Sequence, residues 1–303
     1  RRITLTAEKA AIAAVMAGCL PEHFPVVVAI AEAMLSRDLP VHNVNSSTGS
    51  FALAFIVNGP IREALGMNWR GNVLGPGNRA NSSIGRAIRL LQINALGSVP
   101  GAGLEEQEHG RPVLDRSMMG QPAKYAGWHI VENEEDFPSL TPTHVELGFA
   151  PTDSTVTVMP AFGCKWLDTN SDGSPEEWIG SFAQAVVGAG VLVDSGPAIV
   201  IIPPESVRLF VNAGWTKDDI RRELFEHTRR SVAWVKENGY WVGHNQRTRL
   251  MPVEPGDEER FVAISGTPED LRIVVCGGPA GAWPYYLHTY DGSGATVTQK
   301  IRW

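Results

Sequence analysis

The sequence predicts an α/β fold with mixed, largely parallel sheets flanked by helices and arranged as two lobes. Three observations carry that prediction. Strand-like apolar runs alternate with segments of helical period, the pattern of layered α/β proteins. Ala198 to Ile202 is a continuous apolar run closed by Pro203-Pro204, as in a strand buried on both faces. Arg272 to Cys276 is a second such run, and it opens into the glycine turn Gly277-Gly278-Pro279-Ala280-Gly281. At 303 residues the chain can bury a large core, as two lobes or as one large α/β domain. The lobes are expected at 1–195 and 196–303.

Taken in order, the first helix is predicted at Thr6 to Ala17. The run Val26 to Leu35, with Ala29, Ala31 and Ala33 between larger apolar residues and Glu32 as its one charge, reads as a buried helix. Pro25 suits its first position, where a missing N–H costs nothing. A start at Pro21 would leave Pro25 in the second turn, where it removes a hydrogen bond. Strands follow at His42 to Ser46 and Phe51 to Val57, then a longer helix at Ser82 to Ala95. Gly97 to Gly127, rich in Gly, Pro and charge, is too long for an ordinary connection and reads as a functional loop. Strands are predicted at Trp128 to Glu132, Thr155 to Met159 and Val191 to Val193. In the second lobe, the strand Ala198 to Ile202 precedes helices at Glu205 to Ala213 and Lys217 to Arg230. The latter is entered through Thr216 as N-cap with Asp219 three residues on.

Composition narrows the function. The 43% hydrophobic and 19% charged content is that of a globular protein. A net charge of −7 with scattered Lys and Arg argues against a general nucleic-acid binder, which needs clustered cations to neutralise phosphates. No apolar stretch approaches the ~20 residues that span a bilayer, and there is no charged-then-apolar leader. A cytoplasmic, soluble protein with no membrane partner is expected. The chain opens on Arg1 rather than Met, so a preceding segment is expected to have been lost. Three widely spaced cysteines (Cys19, Cys164, Cys276) with no CxxC pair do not form a disulfide framework and fit a reducing compartment.

Ala17-Gly18-Cys19-Leu20-Pro21-Glu22-His23-Phe24-Pro25 sets a thiol and two ionisable groups ahead of the second helix. A helix N-terminus favours thiolate over thiol, a protonated His23 adds to that, and Glu22 opposes it. The alternative is a small buried residue ending the first helix. Gly75-Pro76-Gly77-Asn78-Arg79-Ala80-Asn81-Ser82-Ser83, with Arg86 beyond, offers backbone N–H donors and positive charge to a carboxylate or phosphate. Its polar side chains could equally serve as helix caps, and the spacing is not that of a P-loop. Glu132, Glu134 and Glu135, with His144 and Glu146 further on, are the densest group of acids and bases. They suit proton transfer, a facial metal triad using His144 and Glu146 on one strand face, or a solvated surface. Asp168 to Gly173 opens like a calcium loop, but its twelfth position is Ile179, so an Asx turn is the better reading. The turn 277–281 lacks the GxGxxG order of a dinucleotide site, and no Gly-x-Ser-x-Gly elbow is present.

These segments together resemble a bacterial family whose genes neighbour, or are fused to, a small protein carrying a UGSC or CGSC selenocysteine/cysteine motif, loosely labelled thioredoxin-like. The resemblance rests on Ala17-Gly18-Cys19 with Pro21-Glu22 and Pro25, Asn58-Gly59-Pro60-Ile61, Gly75 to Asn81 with Ile84-Gly85-Arg86-Ala87, and Gly120-Gln121-Pro122-Ala123-Lys124-Tyr125. It continues through Glu132 to Glu135, His144-Val145-Glu146, Pro204-Glu205, Gly214-Trp215 with Lys217 and Asp219, Phe225-Glu226-His227, and Gly277-Gly278-Pro279. Ser206 stands where a His is expected, Gly281-Ala282-Trp283 replaces a more polar stretch, and the UGSC motif itself is absent. The resemblance implies a functional Cys19 and Glu132 group, and a small UGSC/CGSC-motif partner.

The reading that follows is an enzyme or enzyme subunit, an oxidoreductase or lyase, acting on a small anionic metabolite. Cys19 serves as thiolate; Glu132, Glu134 and His144 manage protons. Asn58, Asn78, Arg79, Asn81, Ser83 and Arg86 bind the anion, and Lys124 and Tyr125 close over it. No cofactor or metal is expected, and an oligomer is. The rivals are a metal-dependent lyase or hydrolase using His144 and Glu146, and a non-catalytic subunit that docks a UGSC-type partner.

Overall fold

The structure, a computed structural model, describes residues 4–100, 115–169, 172–189, 196–238, 252–289 and 296–303. Helix α1 (Ala7–Ala17) is capped by Thr6, whose hydroxyl accepts the Lys9 N–H at 3.3 Å. It ends at Gly18, whose φ of 83° lets the amides of Gly18 and Cys19 turn back to the carbonyls of Val15 and Ala14. A single 3₁₀ turn, Pro21–His23, runs directly into α2 (Phe24–Met34). The short α3 (Val41–Ser46) stands where a strand was expected. Pro40 presets the first turn and its carbonyl accepts the Val44 N–H at 3.1 Å, while Asn and Ser are poor strand formers.

β1 (Ala52–Asn58), buried along its whole length, is followed by α4 (Ile61–Ala64) and α5 (Arg79–Asn94). α5 starts a turn earlier than the expected Ser82, because Asn78 is its cap. β2 (Trp128–Val131), α6 (Thr143–Glu146), β3 (Thr155–Ala161) and β4 (Gly163–Trp166) come next. α7 (Pro175–Gly188) was not anticipated, although Ser174 and Glu177 form a capping box and Pro175 takes the first position. β5 (Ala198–Ile202) has the expected bounds. α8 (Pro204–Asn212), α9 (Lys217–Thr228), β6 (Arg230–Ser231), α10 (Val232–Glu237), β7 (Phe261–Val262), β8 (Leu271–Val275), β9 (Tyr285–His288) and β10 (Val297–Lys300) complete the order. The strand expected at Val191 to Val193 and most of the long loop, 101–114, lie outside the described residues.

The result is α/β, with mixed sheets flanked by helices. One sheet has the order β10-β3-β1-β2; β1 and β2 run parallel, while β3 is antiparallel to both β1 and β10. The other has the order β4-β9-β5-β8, with β5 parallel to β8 and antiparallel to β9. The chain forms two compact units: residues 1–132, 144–163 and 295–303, and residues 133–143 and 164–294. The crossing expected at 195/196 falls inside the second unit.

In the first unit α5 lies close against the segment before β2. A Cβ at Gly85 would stand 1.7 Å from the Ala126 carbonyl oxygen, so only glycine permits that approach. The second unit is built on an aromatic core. Trp178 stacks on Phe182 and meets Phe210 edge-on, each at 5.1 Å, and the Tyr286 hydroxyl donates to the Ile264 carbonyl at 2.9 Å. Among the described residues no helix is long and apolar enough to cross a membrane.

Candidate functional site

Two segments far apart in sequence meet at Cys19 in the first unit. The thiol lies half-buried between the end of α1 and the 3₁₀ turn that leads into α2. His23, at the end of that turn, is 2% exposed. Its Nδ1 accepts the Leu20 N–H at 3.2 Å, and the Ser83 hydroxyl oxygen of α5 lies 3.3 Å from the same nitrogen. A main-chain N–H can only donate, so Nδ1 carries a lone pair and the ring proton sits on Nε2. Ser83 also hydrogen-bonds Cys19, so its hydroxyl links thiol to imidazole. Arg79, one turn before Ser83, donates from Nε to the Gly18 carbonyl at 2.9 Å.

The electrostatics correct one expectation. Burial pushes the Cys19 thiol up, and the opposing pulls of Ser83 and the Arg79 guanidinium do not overcome it. Burial also lowers the His23 imidazole, Arg79 adds to that, and Glu22 opposes both. At neutral pH thiol and imidazole are therefore uncharged, and the expected resting thiolate and protonated His23 are not met. Burial is the leading cause, and the backbone N–H groups near the thiol are already engaged. The N–H of Leu20 is taken by His23, and those of Gly18 and Cys19 are taken by α1, whose C-terminal end carries partial negative charge.

Asn78 and Asn81, expected to bind an anion, serve the loop instead. Asn78 accepts the Asn81 N–H at 3.0 Å and donates to the Gly66 carbonyl at 2.7 Å. Asn81 accepts from the Asn68 N–H and donates to the Asn68 and Val73 carbonyls.

A second network lies at the carboxyl ends of the parallel pair β1 and β2, where α/β proteins place ligands. Buried Asn58 donates to the Glu132 carboxylate at 2.5 Å, and Arg62 donates to the Glu132 carbonyl at 2.6 Å. Glu132 is 1% exposed. Glu134 belongs to the second unit, and Glu132 and His144 to the first. His144 is buried on α6, whereas Glu146 is exposed. Two residues apart on a helix lie about 200° apart around its axis, so this pair does not share the face that a triad requires. Among the described residues no group of three His, Cys, Asp or Glu is arranged to hold a metal ion.

Arg86, Lys124 and Tyr125 converge on a cleft of about 680 Å³ alongside α5. Arg89 and Asp115, which sequence reasoning missed, build its wall. Arg89 Nη2 and Lys124 Nζ each lie 2.7 Å from Asp115. Burial works against the Asp115 charge, but hydrogen bonds from Lys124 and Ser117 outweigh it and hold the carboxyl below its usual range. A signal existed: an Arg on the apolar side of a helix needs a carboxylate partner. Ser83 and Arg86, three residues apart on α5, are side-chain neighbours at about 5–6 Å between Cβ atoms, so thiol and cleft adjoin the same stretch of helix.

In the second unit the turn 277–281 is tied down by its own fold. The Glu205 carboxylate accepts the Gly281 N–H, and Arg208 donates to the Pro279 carbonyl at 3.2 Å. The Asp168 to Gly173 turn lies partly outside the described residues. Set against known proteins, the chain matches no family model, no curated protein and no solved structure.

Proposed function

We propose that this chain is a thiol-dependent enzyme, or enzyme subunit, acting on a small anionic metabolite, with the Cys19 sulfur as the reacting atom. The observation that carries the reading is the Cys19–Ser83–His23 connection, made across 60 positions of sequence. Because the thiol rests protonated, activation coincides with attack. As sulfur adds to a carbonyl-type carbon of the substrate, the C=O π pair moves onto oxygen, the thiol proton passes to the Ser83 oxygen and the Ser83 proton passes to His23 Nδ1. Protonated Nδ1 can no longer accept from Leu20, so His23 is a short-lived base that returns the proton readily. Arg79 offsets the negative charge that develops nearby.

Iodoacetamide alkylation followed by mass spectrometry from pH 6 to 10 tests this. Cys19 is expected to react, with a midpoint above the ordinary thiol value of about 8.5, while Cys276, 1% exposed, stays unmodified in the native protein. Ser83→Ala removes a contact that favours the thiolate and is expected to slow the reaction about tenfold at pH 8, as for a one-unit rise in pKa. Equal rates at Cys19 and Cys276 would remove the thiol from the mechanism, and an unchanged rate in Ser83→Ala would remove the Ser83 relay.

A specific observation favours a second reading, a subunit that docks a small UGSC/CGSC-motif protein. Ile12, Val15 and Met16 form an exposed apolar stripe on α1, Val15 being 77% exposed, just before the Cys19 turn. Val15→Glu is expected to abolish copurification with a coexpressed CGSC-motif protein; undiminished recovery would sink this reading.

A further inference from the structure

We propose that the cleft alongside α5 binds a small molecule joining a doubly charged anionic group, in class a phosphate monoester, to an apolar body. The inference deepens the proposed function by naming the class of its anionic ligand, and it rests on that reading only for the ligand being a substrate. Three cations, Arg86, Arg89 and Lys124, face the cleft with one carboxylate, Asp115, among its described lining residues, which leaves an excess of two positive charges.

That carboxylate is fully engaged. One oxygen accepts from Arg89, and the other accepts from Lys124 and from the Ser117 N–H. Arg86 is in the opposite state. Its one hydrogen bond among the described residues is a long one, 3.3 Å, from Nη1 to the Tyr125 carbonyl. A guanidinium has five N–H donors in a planar fork, so Arg86 retains the bidentate geometry that suits phosphate or carboxylate. Beside the cations the lining turns apolar with Ile93, Met118, Met119 and the Tyr125 ring. Methionine adapts to varied apolar shapes, and a volume of about 680 Å³ is that of a small-molecule pocket. The excess of two charges matches a phosphate monoester better than a single carboxylate.

Phenyl phosphate is the probe, titrated by NMR or calorimetry against the wild-type chain, Arg86→Gln and Cys19→Ser. The wild type is expected to bind with a Kd below about 1 mM. Arg86→Gln should weaken binding by about tenfold or more with an unchanged melting temperature, since that side chain's loss breaks no ion pair among the described residues. Benzoate, with one charge, should bind about tenfold more weakly than phenyl phosphate, and phenol should not bind. The inference is overturned if the wild type does not bind the probe, if Arg86→Gln binds it as tightly, or if benzoate or phenol matches it. Cys19→Ser should bind as the wild type does; loss of binding there would move the ligand away from the cleft. Failure of the thiol chemistry and failure of the cleft thus give different patterns.

Discussion

Asp115→Asn is expected to lower the free energy of unfolding by about 3–5 kcal/mol, the cost of removing one partner from a buried ion pair. Arg89 and Asp115 have side chains 7% and 3% exposed, so the substitution leaves two cations facing each other with little water to screen them. The amide matches the carboxylate in size, so packing is preserved and the loss reports charge. Urea denaturation at pH 7 measures it. A loss below about 1 kcal/mol, the range of solvated surface pairs, would show that the triad is hydrated. Replacing Arg89, Asp115 and Lys124 together by apolar residues of similar size should recover most of the loss, because the desolvation of all three charges disappears with them.

Acid should destabilise the protein well above the carboxylate range. His129 and His288 are buried, and burial lowers both to about 4 from an ordinary 6.5; Lys165 adds to the effect at His288. Between pH 6.5 and 4 the unfolded chain therefore binds protons that the folded chain does not, so stability rises with pH across this window. It is fully present above 6.5 and is lost as pH falls, by about 3 kcal/mol for each histidine. His129 gives the clean test. It packs against Phe55 at 5.6 Å, and among the described residues neither ring nitrogen has a hydrogen-bond partner. His129→Leu should raise stability at pH 5 and remove about half of the slope, read from urea midpoints between pH 7 and 4.5. Parallel pH profiles for variant and wild type would show that His129 does not titrate in this range.

Much of the fold was legible because its signals are local. Thr6 and Thr216 mark helix starts, Gly18 marks a stop, and the run Ala198–Ile202 reads as a strand by composition alone. The Ser174-Pro175 start of α7 was equally local, yet the acidic residues before it drew the reading toward a turn. The His144-Val145-Glu146 spacing suited a strand only as long as the backbone was extended, and four helical residues divide the pair between core and solvent. At the site, Cys19 and Ser83 could be named separately, but their meeting depends on how α1 and α2 pack on α5. Thiol protonation was misjudged for the same reason. A helix end can be read from neighbouring residues, whereas the burial that raises the thiol's pKa is a property of the packed fold.

The position of β10 governs when the first unit's sheet can be completed during synthesis. This strand, Val297–Lys300, pairs with β3, and just beyond it Ile301 donates its N–H to the Ser154 carbonyl at 2.7 Å. A nascent chain on the ribosome therefore carries β3 with one edge bare while more than a hundred further residues are made. The strands of the other sheet emerge sooner, so the unit that begins first is finished last.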